Sequence, residues 1–91
     1  MSEIPRDKEF YELADEHIAL ANTRMNKVTP AKVSATMLFA TARFNAFLVS
    51  VSAENKAQML LDKEPAIAYF MQEYEKYLRE NIDEHLARYD N

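Results

Sequence analysis

Glycine is absent from the chain. Sheet hairpins draw on glycine for the positive φ of their tight turns. Helix interiors avoid it, because a glycine there costs about 1 kcal/mol relative to alanine. A 91-residue chain with no glycine, broken only by Pro5, Pro30 and Pro65, is therefore predicted to be all-α. Its length suits a single helical domain over 1–91. Its hydrophobic fraction of 48% is enough to build a core and too high for a disordered chain.

The apolar periodicity resolves into three helices, over about 6–28, 30–52 and 63–89. The expected fold is a small three-helix antiparallel bundle with a short helical or irregular connector before the last helix. In helix 1, Phe10, Ala14, His17, Ala21, Met25 and Val28 share one face at 100° per residue. Acidic residues crowd its start, and Arg24 and Lys27 end it, as the helix dipole favours. The junction to helix 2 is sharply punctuated. Thr29 suits an N-cap, and Pro30 sits at the first helical position, where its missing N–H is not needed. Val28 and Val33 occupy the two positions of a hydrophobic staple.

Helix 2 carries Val33, Met37, Ala40, Phe44, Phe47 and Val51 on one face. Its back is also apolar, with Ala35, Leu38, Phe39, Ala42, Ala46 and Val49. A helix that is apolar nearly all round must be covered nearly all round. Two companion helices leave one side short, so Leu38, Phe39, Ala42 and Val49 are the expected oligomer interface of a homodimer or higher homo-oligomer. Residues 53–62 read as the connector, with Met59, Leu60 and Leu61 capping one end of the core. Helix 3 is expected to open with Asp62 as N-cap and Pro65 in its first turn, and to pack through Ile67, Met71, Tyr74, Leu78, Asn81 and His85.

Three strings have a family likeness: FYELADEHIALAN (Phe10–Asn22), KVSATMLFATARFNAF (Lys32–Phe47) and DKEPAIAYF (Asp62–Phe70). They resemble the short bacterial proteins catalogued as domain of unknown function 3144. The resemblance implies a small helical protein of bacterial origin. It brings no activity, cofactor or catalytic residue with it.

Charge narrows the function classes. The net charge is −4, and residues 1–27, 28–61 and 62–91 sum to −2, +2 and −4. No stretch has the strongly basic footprint of phosphate-driven nucleic-acid binding. The absence of cysteine excludes disulfides, thiolate metal sites and thiol catalysis. The charged start MSEIPRDKEF lacks the apolar core of a secretory signal, so a cytoplasmic protein is expected. Residues 33–53 hold a single charge, Arg43, at their centre. A central arginine costs about 2.5–3.5 kcal/mol on insertion scales, and several serines and threonines add to that. The stretch therefore reads as a buried helix and no membrane association is expected.

Candidate chemistry is sparse. His17 and His85 lie on apolar faces, but neither stands in an HExxH or ExxH pattern: Ala14 and Ile82 occupy the positions three before them. Both read as boundary histidines, and no metal or cofactor is expected. Arg43 must either meet a carboxylate, within the chain or across an oligomer interface, or reach solvent at a cleft. In the second case Arg43 and Asn45, beside the helix 3 tyrosines Tyr74 and Tyr77, would hold a small anion through the planar guanidinium fork. Asn81 at a seam position would fix helix register or lie solvated beyond the core. With no glycine there can be no GxSxG elbow and no phosphate-cradling loop. The expected function is a non-enzymatic helical protein–protein interaction module acting as a homo-oligomer, with the anion-binding protein as the alternative.

Overall fold

The computed structural model describes residues 4–89. Three helices account for it: α1 (Lys8–Arg24), α2 (Pro30–Ser52) and α3 (Lys56–Ala87), with no strand among the described residues. The helices form two compact units, Met1–Phe44 and Asn45–Asn91.

In the first unit, α1 starts where Asp7 caps it. The Asp7 carboxylate accepts a hydrogen bond from the Phe10 backbone N–H at 3.0 Å, which satisfies one of the orphan amides of a helix start. The helix ends at Arg24, four residues before the expected end, and Met25 to Val28 form a turn. This turn is tied by the Val28 N–H donating to the Arg24 carbonyl at 3.0 Å. The face expected to be covered is the one covered: Phe10, Ala14, Ala21 and Val28 are half-buried. His17 and Met25 from the same list stay exposed. The start of α2 is built as its punctuation requires. The Thr29 hydroxyl accepts from the Lys32 N–H at 3.3 Å, and the Thr29 carbonyl accepts from the Val33 N–H at 3.1 Å. Val33, the inner half of the staple, is 7% exposed and is the one buried hydrophobic side chain among the described residues.

In the second unit, the connector shrinks to Ala53, Glu54 and Asn55. Asn55, not Asp62, is the N-cap of α3, and its side chain accepts from the Gln58 N–H at 2.9 Å. Asparagine is among the best N-cap residues, and the following Lys-Ala-Gln-Met-Leu-Leu run is made of strong helix formers. Gln58 then donates to the Asp62 carboxylate at 2.8 Å, one turn on. These local preferences carry the helix straight through Pro65, which becomes an interior proline. It offers no N–H to the Leu61 carbonyl one turn back. Met59, Leu60 and Leu61 are accordingly exposed helix residues, not a cap on a core.

A larger correction concerns which face of α3 is covered. Asp62, Ala66, Tyr69, Phe70, Glu73, Lys76 and Tyr77 are the half-buried residues. The seam read from the sequence, Ile67, Met71, Tyr74 and Leu78, is exposed, with Leu60 and Ile82 continuing it in both directions. At 100° per residue the two rows stand about 130° apart around the helix. The inner row is held by aromatic bulk: Tyr69 and Phe70 meet edge to face at 5.3 Å. The Lys76 ammonium lies 5.3 Å above the Tyr77 ring and 2.7 Å from the Glu73 carboxylate, so long side chains shield that row with their stems.

Candidate functional site

The residues singled out for oligomer contacts lie open on α2. Phe39 is 67% exposed and Leu38 53%, Ala42 is exposed and Val49 half-buried. The opposite stripe is covered at Val33 and open at Phe44, Phe47 and Val51. Among the described residues α2 is the one helix long and apolar enough to cross a membrane, and 6% of its most apolar window is buried. It is thus not covered in the manner of a core helix.

The polar side chains of α2 bond to its own backbone. The Thr36 hydroxyl donates to the Lys32 and Val33 carbonyls at 3.0 Å, Thr41 to Met37 at 2.9 Å and Ser52 to Leu48 at 2.8 Å. A hydroxyl bonded back to its own helix can be covered without losing a water partner, so these three do not oppose burial of the surface they sit on.

Arg43 is exposed, and no carboxylate among the described residues forms an ion pair with it. The helix to which it belongs contains no acidic residue at all. Asn45 is half-buried. Residues two apart on a helix point about 200° apart, so Arg43 and Asn45 leave α2 in different directions. Of the proposed helix 3 partners, Tyr74 is exposed on the outer seam and Tyr77 half-buried on the inner row. Asn81 is exposed and donates from Nδ2 to the Tyr77 carbonyl of its own helix at 2.8 Å. His85 is exposed in the last turn of α3, where a cationic form suits the dipole. His17 Nδ1 lies 2.8 Å from the Leu13 carbonyl, so the tautomer carrying its proton on Nδ1 donates there. Among the described residues no three histidine, aspartate or glutamate side chains converge as a metal site.

What sequence reasoning missed is the outer row of α3: Leu60, Ile67, Met71, Tyr74, Leu78 and Ile82. Its spacing was visible as a seam. Periodicity identifies a stripe that wants cover but does not say what supplies it.

These features define a small all-helical protein with apolar rows exposed on α2 and α3. It belongs to the family described as protein of unknown function (DUF3144), whose model matches residues 10–86. Comparison with curated proteins and with solved structures finds no match.

Proposed function

We propose that the protein is a non-enzymatic helical interaction module that works as a homo-oligomer, soluble in the bacterial cytoplasm and without affinity for nucleic acid or membrane. The observation that carries this reading is the exposure of Leu38 and Phe39 on the most apolar helix. Full burial of one such side chain contributes about 1.5–3 kcal/mol, so a surface of this kind favours association over solvation. Contiguous exposed apolar patches are rare on soluble monomers and mark contact sites. The internally bonded hydroxyls of α2 remove one obstacle to covering it. The central charge of Arg43 argues against lipid as the cover.

Native mass spectrometry of untagged protein over a range of concentrations tests this. A discrete dimer or tetramer at the mass of the bare chain is the expected result. A bare monomer at every concentration would remove the reading. A monomer carrying extra mass would replace it with the ligand-binding alternative, and the identity of that mass would define the ligand.

A further inference from the structure

The outer row of α3 has a pattern that is complementary to itself. From Leu60 to His85 it steps 4-3-4-3-4-3-4, the repeat of a coiled-coil seam, and every residue on it is exposed. Two strongly polar residues stand inside the row, Glu64 toward one end and Asn81 toward the other. They lie equally far from its midpoint, which falls between Gln72 and Glu73. Laying two copies of α3 antiparallel about that midpoint therefore sets Glu64 of each against Asn81 of the other. The same register seats Ile67 on Leu78 and Met71 on Tyr74, so apolar layers meet apolar layers and the polar layer meets its own complement.

The polar groups are equipped for this. Among the described residues neither Lys63 nor Glu64 forms a side-chain hydrogen bond or ion pair. Asn81 spends one amide N–H on the Tyr77 carbonyl at 2.8 Å and keeps a second that a carboxylate can accept. Lys63 flanks the seam on the side where Glu84 comes opposite in the antiparallel pair, and Glu84 is tied only to Arg88 of its own helix. Other arrangements lose these matches. A parallel, in-register pair brings the two Glu64 carboxylates to one level and aligns the helix dipoles. Sliding the antiparallel pair by one heptad sets Asn81 against Ala57 in one direction. In the other it sets Asn81 against Met71 and brings the two Glu75 side chains together across the axis.

We infer that the outer row of α3 is covered by the same row of a second copy of this chain, antiparallel about a two-fold axis between Gln72 and Glu73. Glu64 meets Asn81 within the seam and Lys63 meets Glu84 at its edge. Each contact occurs twice, as an isologous interface requires. A polar pair at one seam layer fixes register and orientation in helical dimers. Every residue of the contact belongs to α3.

The inference rests on the self-association proposed above, and the test separates the two. Because the chain has no cysteine, Leu60→Cys and His85→Cys variants each carry a single thiol at an exposed position. The two are unfolded together, refolded and treated with a short bismaleimide. In the antiparallel pair Leu60 of one copy lies level with His85 of the other, while the two Leu60 residues lie about 38 Å apart along the axis. The mixed adduct is expected in several-fold excess over either homotypic one. Homotypic adducts in excess would overturn the antiparallel orientation. An oligomer by native mass spectrometry that gives no adduct would overturn the α3 contact, leave self-association standing and direct attention to the back of α2. A monomeric parent would overturn both. Charge exchange gives a second readout that leaves the apolar layers unaltered. Lys63→Glu should raise the dissociation constant about tenfold, and the double variant Lys63→Glu/Glu84→Lys should recover it, since both symmetric contacts are then exchanged within one homodimer. A double variant that binds no tighter than the single one would overturn the register.

Discussion

The two units of the chain treat their sequence seams in opposite ways. In Met1–Phe44 the apolar stripe of α1 is largely the covered stripe, and the staple at Val28 and Val33 closes on the residue with least exposure. In Asn45–Asn91 the clean 4-3-4 seam of α3 faces water, and a mixed row containing Asp62 and Glu73 is the half-covered one. The difference teaches that a periodic stripe records a demand for cover, not the identity of the cover. Both connections are short and capped, so a tight turn alone does not decide which face is covered.

A charge placed on each stripe separates the two units most strongly. Val33→Asp should cost about 3–4 kcal/mol of folding stability, since it puts an unpaired carboxylate into the one buried apolar position described in the first unit. Met71→Asp, at a residue 64% exposed, should change monomer stability by no more than about 0.5 kcal/mol. Urea unfolding followed by circular dichroism, at concentrations too low for association, measures both. Equal losses would mean that the outer row of α3 is covered within the chain after all.

Leu38→Asp should leave helicity unchanged and weaken self-association about a hundredfold, or roughly 2.7 kcal/mol. Sedimentation at graded concentrations reads this directly. A variant that associates as well as the parent would take Leu38 out of the contact. Flotation with anionic vesicles adds a control on the length and apolarity of α2. Retention of the parent in the aqueous fraction is expected, and its flotation would make lipid the cover of this helix.

Pro65 sharpens the account of the second unit. As an interior proline it costs a helix about 3 kcal/mol relative to alanine, offset by the 0.4–1 kcal/mol, roughly, that its rigidity removes from the unfolded state. Pro65→Ala should therefore stabilise the chain by about 2 kcal/mol and raise the melting temperature by several degrees. If the helix instead began near Asp62, with Pro65 in a permitted first-turn position, the same change would give nothing.

Pro65 also marks where sequence legibility ended. Pro30 and Pro65 look alike in the sequence, each near an N-capping residue and a rising helical pattern. Thr29 before Pro30 follows the turn Met25–Val28, so no helix runs into it. Asp62 before Pro65 lies downstream of Asn55 and a run of residues with high helix propensity, and one interior proline does not outweigh ten residues of helix and a good cap. The helix count, the all-α class, the Thr29–Pro30 start and the openness of Leu38 and Phe39 were legible because each follows from local chemistry. The covered face of α3 was not, since it depends on which neighbour reaches it first.

The smallest expected effects compare the two caps. Thr29→Ala and Asn55→Ala each remove a side-chain acceptor from a helix start, the first at 3.3 Å and the second at 2.9 Å. Each should cost about 1 kcal/mol. Their hydrogen-exchange signatures should differ. Thr29 sits between Val28 and Pro30, where the staple and the fixed proline φ hold the helix start independently of the hydroxyl. Loss of its cap should therefore speed exchange only at the amides of Lys32 and Val33. Asn55 has no such second device, so its loss should fray α3 over the turn or two before Pro65, where the missing proline N–H already leaves the ladder one bond short. Exchange that spreads equally far in both variants would show that the staple does not reinforce the first unit, and the contrast between the two units would then rest on their covered faces alone.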